Sequence, residues 1–564
     1  MSGASRRIDH PATLPNTPIS RSDATESSVA RSTPVISPNK PPNGDQTSSI
    51  PGPSIPVELS NTLFQTYFES IHPMWPLLYK PLYGSSDYTY PSPTIPDSLA
   101  MAIFTIASCI DRSHPVECGI ANPSQPLHNS LKPKALFEEA LNLLQRGART
   151  GGSPQPINAL TPSITSCQVL VILTLQQHGI AEYSRAAILF GLASAMAIEL
   201  RLNRAYELDD QIEREIRHRL WWNVYVLDKM ISGEMGRPII LREEESDCPW
   251  PSAAETDEFE LMSSHSQPHS SPGLARRNTF KMRTISAFHS TISLSMIMER
   301  IYRKVYGLAA RKAIRDDQPA GERLRMQLWL ELQQWERDIE ASPLKLDLSD
   351  ELMSAPATVT NYVIMWTATI LLHRPFIAWW RSDLGFTADP FEISLQAANQ
   401  ICQVLEKYLE CLPRGPCDMI FSIFIAASIL LQHSKKGEVE AIDRTRRRLK
   451  LCIQWLSVLS KSWKIAGERC KLLDDMFNLP QALQEPRHAH GIDAIQLTTQ
   501  KTTVGGLPIT ADQPSSQLQI LPVSPEDWSF LQGFGDSTDQ FYAWDVDLRD
   551  LLGGRCGIDG IGYP

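Results

Sequence analysis

The chain of 564 residues has ten cysteines and no CxxC pair among them: Cys109, Cys118, Cys167, Cys248, Cys402, Cys411, Cys417, Cys452, Cys470 and Cys556. That spacing suggests neither a zinc site nor a thioredoxin-like motif. Most of these residues stand inside apolar runs, where a free thiol behaves as a small hydrophobe. No basic-then-apolar leader opens the sequence, so a reducing compartment is expected. Long apolar runs are scarce. Leu352–His373 is uncharged but holds Pro356, Asn361 and several Thr, and Met419–His433 falls short of the ~20 residues a span needs. Phosphate loops, GxSxG elbows, HExxH and kinase signatures are missing, and no His and carboxylates converge on a triad. We therefore expect no enzyme, no membrane partner, and no catalytic, cofactor-binding or metal-binding residue. Positive charge is also in deficit: 53 Lys and Arg against 63 Asp and Glu give a formal net charge of −10 and a pI of about 5.8. A surface that gripped nucleic acid as a whole would need the opposite sign.

Aromatic residues are absent before Phe64, while residues 1–56 hold ten Pro and eleven Ser. Such a segment cannot bury enough apolar surface to offset its ordering entropy, so residues 1–57 are expected to be disordered.

What the chain does have is concentrated in Gln211–Cys248. Ile212, Ile216, Leu220, Val224, Leu227 and Ile231 recur at steps of three and four, which predicts a helix with one apolar stripe. Glu213, Arg214, Arg217 and His218 then fall on a wet face, and Trp221, Trp222 and Tyr225 widen the buried side. Gly233 and Gly236 predict the helix end, and Arg237-Pro238 an extended exit. Asp228 sits oddly in this apolar neighbourhood. A structural pairing with Arg237, or with backbone amides, accounts for it better than catalysis, because buried charges are usually paired.

These residues carry a resemblance. Arg219-Leu220-Trp221-Trp222, Tyr225, Leu227-Asp228 and Gly236-Arg237-Pro238 resemble the most recognisable block of the fungal-specific transcription factor domain, the helical middle region of fungal zinc binuclear-cluster regulators. Tyr67–Pro76 is similar to its opening signature, and Leu371-Leu372-His373-Arg374-Pro375-Phe376 to its LLHRPF segment. The order and separations also match, over about residues 58–385. Arg219, Trp221, Trp222, Asp228, Gly236, Arg237, Pro238, His373, Arg374 and Pro375 are accordingly taken as structural motif residues. The resemblance implies a nuclear transcription regulator, often of a metabolic pathway or a biosynthetic gene cluster. Members carry a six-cysteine zinc cluster near the N-terminus that enters the DNA major groove. Here the first cysteine is Cys109, so no cofactor is expected in this chain. DNA contact is expected through a zinc cluster missing here or through a partner regulator. Homo- or heterodimerisation and a small-molecule effector in an interhelical pocket are further expectations of partners.

Periodicity outside the central block predicts an all-α chain, a large helical array. Helices are read at Leu59–Ile71 (with Ser60 as N-cap), Pro96–Ile110, Pro133–Arg146, Ser163–His178, Tyr183–Leu200, Thr279–Tyr306, Arg323–Ser342, Val359–Trp379, Ile393–Leu409, Asp418–Gln432 and Asp443–Trp463. His72, after the first of these, reads as a capping cation. Residues 252–277, rich in Ser, His and Pro, read as a flexible surface loop, and His265 and His269 within it as loop residues rather than ligands. The basic run Arg444, Arg446, Arg447, Arg448 and Lys450 reads as a solvated helix face. Domain boundaries are set at 58–385 for the resemblance, 386–475 for a helical extension of the core, and 476–564 for a mostly disordered tail.

Within that tail, Glu526–Leu552 mixes seven acidic residues with Trp528, Phe530, Phe534, Phe541, Trp544 and Leu551. Acidic and aromatic residues interleaved this way form the composition of transcriptional activation segments, in which the acids keep the aromatic groups solvated until they dock on a partner. The expected partner is the transcription machinery. The competing expectation is a DNA-binding-deficient cofactor or repressor that pairs with zinc-cluster regulators.

Overall fold

A computed structural model of the chain describes residues 55–83, 95–110, 132–147, 161–205, 208–259, 261–264, 278–348, 354–378, 380, 388–408, 417–434 and 439–478. The segments expected to be disordered, 1–57 and 476–564, lie almost wholly outside the described residues, as do His265, His269 and all of Glu526–Leu552. Among the described residues there are fourteen helices: α1 (Val57–Ser70), α2 (Asp97–Ala107), α3 (Pro133–Gly147), α4 (Ile164–Gly179), α5 (Tyr183–Glu199), α6 (Gln211–Met235), α7 (Thr284–Ile301), α8 (Leu308–Asp316), α9 (Gln318–Glu340), α10 (Pro356–His373), α11 (Pro390–Tyr408), α12 (Asp418–Ser434), α13 (Val439–Leu459) and α14 (Lys464–Asn478). One short antiparallel hairpin joins them, with Leu261–Ser264 paired to Asn278–Lys281. The fold is all-α, as the periodicity predicts.

Local chemistry explains most of the boundaries. Ser163 caps α4 by accepting from the Ser166 amide at 3.0 Å. Asp210 caps α6 through the amides of Ile212 and Glu213, and Asp317 caps α9 through Ala320. Gly236 closes α6 in the left-handed region at φ 62°, a conformation that costs glycine nothing. The start of α1 differs from expectation: the helix begins at Val57 behind Pro56, and Ser60 is a buried residue within it. The helix expected from Thr279 begins at Thr284, because Asn278–Lys281 is taken up by the hairpin. Its C-terminal end widens into a π-turn at Tyr302–Tyr306. The helix expected to reach Trp379 stops at His373, and Pro375, with no amide to donate, sits in a tighter turn at Arg374–Phe376.

Two helices were not anticipated. In α8 the one buried side chain is Ile314, too little to produce a period. α14 follows α13 after a four-residue turn, so the two read as one element up to Trp463.

Most of the buried apolar side chains form one cluster running from Leu63 of α1 to Leu473 of α14, with Ala287, Leu344 and Ala357 in a small second one. Helices α11 to α14 pack into the same core as the earlier helices. Trp463, in the turn before α14, packs against Gly179 at the end of α4. A Cβ at Gly179 would come within 2.2 Å of the indole.

Helix α6 departs most from its sequence pattern. A one-sided stripe is expected, yet every residue from Arg219 to Lys229 is buried, and Ile212, the first residue of the stripe, is 40% exposed. The helix packs on α4, α5 and α7 and is covered on its remaining side by the chain from 237 to 258. It has no wet face along its second half.

Candidate functional site

Burying α6 on all sides also buries its charges. Arg219 is fully enclosed. Its Nε donates to Glu215 at 2.8 Å and its two terminal nitrogens grip both oxygens of Asp257, at 2.5 and 3.0 Å. One of them also donates to the Leu78 carbonyl at 3.2 Å, and the guanidinium lies 5.1 Å from the centre of the Tyr79 ring. Glu215 in turn accepts from the Ser252 amide. This bidentate fork is the strong form of ion pair. Burial alone would raise the Asp257 carboxyl, but His72 and Arg219 together hold it well below the usual carboxylate range.

His72 stands 3.7 Å from Asp257 and is buried. Burial pushes its pKa down to about 4 against the pull of Asp257, with Lys80 and Arg219 adding to the fall. The expected capping cation is therefore a neutral ring, because the site gives an imidazolium too little water. The expected flexible loop at 252–277 also differs from the structure at its start. Asp257 and Glu258 are buried, and Glu258 accepts from the Ile285 and Ser286 amides at 2.8 and 2.9 Å. A loop carboxylate thus caps α7 from a distance.

About two and a half turns beyond Arg219, Asp228 holds the exit of α6. Its carboxylate accepts from the amides of Ile240 and Leu241 at 3.1 and 2.9 Å, from Ser232 Oγ at 3.3 Å, and from Lys229 Nζ at 2.8 Å. Lys229 also donates to the Leu241 carbonyl and stands 3.4 Å from Glu299 of α7. Glu299 accepts from Tyr225 Oη at 2.7 Å and from the Glu243 amide at 3.1 Å. The pairing of Asp228 with Arg237 is not found. Arg237 is exposed, and Asp228 takes Lys229 and two backbone amides instead, which is the other half of the expectation.

Between α6, α7, α10, α12 and the turn after α1 lies a cleft of about 790 Å³, counted with the space at its open mouth. Its walls include Met74, Val226, Phe288, Met298, Ile364 and Phe421, and its polar side chains include Lys229, Glu234, Thr360 and Asp418. Asp418 Oδ2 accepts from Trp75 Nε1 at 2.9 Å. Glu234 Oε2 faces His178 Nε2 at 3.1 Å, and its other oxygen lies 3.9 Å from Arg469. A mostly apolar cleft with a few convergent polar groups is the usual form of a small-molecule site.

With this geometry established, residues 64–337 match the model of the fungal specific transcription factor domain. That stretch is a fungal-specific transcription factor domain. The match runs from Phe64 in α1 into α9, so it contains both ionic networks and the α6 and α7 walls of the cleft. The LLHRPF segment, α10 and α12 lie beyond it. Among curated proteins, the chain is similar to an uncharacterized transcriptional regulatory protein of Schizosaccharomyces pombe, 25% identical over 49% of this chain and 31% of that protein. A Zn(2)-C6 fungal-type transcription factor of Fusarium oxysporum is 26% identical over 38% of this chain and 22% of its own length. A probable transcription factor of Fusarium proliferatum is 22% identical over 76% of this chain and 65% of its own length. The chain thus spans less than two thirds of each of these relatives.

The remaining motif residues of the domain and its continuation are structural in their placement. Trp221 and Trp222 are buried, and Trp222 Nε1 donates to the Pro249 carbonyl at 2.9 Å. Pro238 is exposed, next to Gly236. His373 is buried edge-on to Trp329 at 5.4 Å, and burial with the Arg325 charge pushes its pKa down to about 3. Arg374 is buried, and Pro375 is half-buried at the turn. Arg444, Arg446, Arg447 and Lys450 are exposed along α13, and Arg448 donates to Asn399 of α11. Sequence reasoning missed Glu215, Lys229, Glu234, Asp257, Glu299, Thr360 and Asp418. The available signal was the acidic run Glu255, Asp257 and Glu258 inside a Ser-rich stretch that otherwise reads as solvent-facing. Among the described residues, no helix is long and apolar enough to cross a membrane, and no three His, Cys, Asp or Glu side chains gather as a metal site.

Proposed function

We propose that the protein acts in the nucleus as a pathway- or gene-cluster-specific activator of transcription. The domain at residues 64–337 is the observation that carries this reading, and the similarity to transcription regulators across 76% of the chain supports it. In this reading the helical core is a regulatory and interaction platform, and the acidic, aromatic segment Glu526–Leu552 recruits the transcription machinery. DNA is reached through a zinc cluster of the family type or through a partner regulator. The buried networks suit a platform: a core tied by ionic bonds to its own coil segments holds one fixed surface.

Fusing Glu526–Leu552 to a foreign DNA-binding domain tests the reading. The fusion is expected to activate a reporter, and replacing Trp528, Phe534 and Trp544 together by Ala is expected to abolish most of that activation, since aromatic anchors carry most of such an interface. A silent fusion, with repression by the full chain tethered to the same promoter, would replace the activator by the cofactor or repressor.

A further inference from the structure

The cleft against α6 holds three side chains of acidic or basic type besides the Tyr302 phenol, and two of the three have an oppositely charged side chain within 4 Å. Lys229 is paired with Asp228 and lies beside Glu299. Glu234 faces His178 and has Arg469 at 3.9 Å, although its Oε1 makes no hydrogen bond. Asp418 differs: among the described residues its one hydrogen-bond donor is the uncharged Trp75 indole, and Oδ1 is buried with no partner. Thr360, on the facing helix α10, is 4% exposed and its Oγ1 also has no partner. Buried polar atoms are rarely left unsatisfied, and three of them in the lining of one open cleft, Asp418 Oδ1, Thr360 Oγ1 and Glu234 Oε1, indicate a missing donor. The rest of the wall is mostly apolar and includes the aromatic rings of Trp75, Phe288 and Phe421, a residue type that also attracts cations.

We infer that the cleft binds an amphipathic ammonium ligand, with its apolar body against Met74, Phe288, Ile364 and Phe421 and its amine as the charge partner of Asp418 and a donor to Thr360. An anionic ligand is disfavoured, because it would meet two carboxylates while the one lining cation is spoken for. The sign of the charge and the apolar length follow from the wall. Burial pushes the Asp418 carboxyl up to about 7, with Trp75 and His178 pulling against it and Glu234 adding to it. An ammonium ion seated there draws the proton off, as any opposite charge at close range does. This inference rests on reading the core as a regulatory platform, and it supplies the chemical class of the effector.

The test is calorimetric titration of the purified full chain with octylamine, and with octanol and octanoate as the neutral and anionic counterparts. Saturable binding of octylamine is expected, with the other two about tenfold or more weaker. Asp418→Asn keeps an acceptor for Trp75 and is expected to weaken octylamine about ten- to a hundredfold while leaving octanol unchanged. Should that variant fail to fold, Thr360→Val, which is nearly isosteric, is expected to cost about three- to tenfold. Equal binding of octanol and octylamine, tighter binding of octanoate, or no binding of any of the three overturns the inference. The tail fusion uses no ligand, so it separates failure of this ligand class from failure of the activator reading.

Discussion

Helices α6 and α12 are both buried on nearly every side, yet they achieve it with opposite chemistry. From Met419 to Gln432, α12 carries no ionisable residue, and every position but Phe421 is buried. Between Glu215 and Glu234, α6 buries Glu215, Arg219, Asp228, Lys229 and Glu234. Their neighbours account for the difference. α12 lies among α10, α11, α13 and α14, helices whose backbone groups are satisfied internally, so an apolar surface is all they require. α6 is covered on one side by chain that is irregular apart from two single 3-10 turns at Glu243–Glu245 and Thr256–Glu258. That chain, and the segment after α1, bring backbone groups needing partners, and the side chains of α6 and α7 supply them: Arg219 to Leu78, Asp228 to Ile240 and Leu241, Glu215 to Ser252, Glu299 to Glu243. The charges of α6 are fasteners for coil.

The strongest way to break this contrast is to remove one fastener. Arg219→Met keeps the volume and leaves Glu215 and Asp257 buried without their cation. A loss of about 3–5 kcal/mol is expected, read as a lower urea midpoint, because breaking a buried pair from one side strands the other charge. Arg237→Ala is the matched control on the exposed exit and is expected to stay within about 0.5 kcal/mol of the parent. Equal effects of the two changes would mean that the Arg219 fork does not hold the coil.

An apolar truncation in α12 sharpens the same contrast from the other side. Leu430 is fully buried, and Leu430→Ala is expected to cost about 2–4 kcal/mol through lost transfer energy and the remaining cavity. That loss should be nearly independent of salt and of pH, since no charge is exposed. Denaturant unfolding in low and high salt checks it; a salt-dependent loss would show that α12 also depends on buried charge.

The two helices differ in legibility for the same reason. The apolar run of α12 and the caps and glycine stop of α6 are local signals, and the sequence-based boundaries lie within a few residues of Asp418–Ser434 and Gln211–Met235. The placement of Trp221, Trp222 and Leu220 follows from size and period. The partners of Arg219 do not, because Asp257 stands 38 residues away in a stretch whose Ser-rich composition argues for solvent. Asp228 is a halfway case. Burial and amide bonding follow from its apolar setting, but choosing Lys229 over Arg237 needed the direction of the exit chain. The cleft was the least legible feature. Asp418 is a single acidic residue at the start of an apolar helix and Thr360 one of several polar residues within α10, and only tertiary packing brings them to one wall.

The smallest effect expected, and the one that compares the two regions most directly, is in pH dependence. His72 beside the α6 network has a folded-state pKa of about 4 against an ordinary 6.5. The unfolded chain therefore takes up that proton first, and the stability conferred by the neutral ring is complete above 6.5 and lost as pH falls towards 4. Asp418 at the start of α12 has the reverse displacement, from 3.8 to about 7. There the folded chain holds the proton more tightly, so its contribution is complete below 3.8 and lost as pH rises towards 7. The charged and titratable neighbours setting these shifts are Asp257, Lys80 and Arg219 around His72, and His178 and Glu234 around Asp418. Urea unfolding at about pH 5 and about pH 7 separates the two. Relative to the parent, His72→Gln is expected to lose less stability on acidification, and Asp418→Asn to lose more. No difference between Asp418→Asn and the parent would mean that the carboxyl of α12 is as well solvated as an ordinary surface group, and a shift of the same sign as His72→Gln that it is held below the ordinary range; either would remove the apolar character assigned to that end of the cleft.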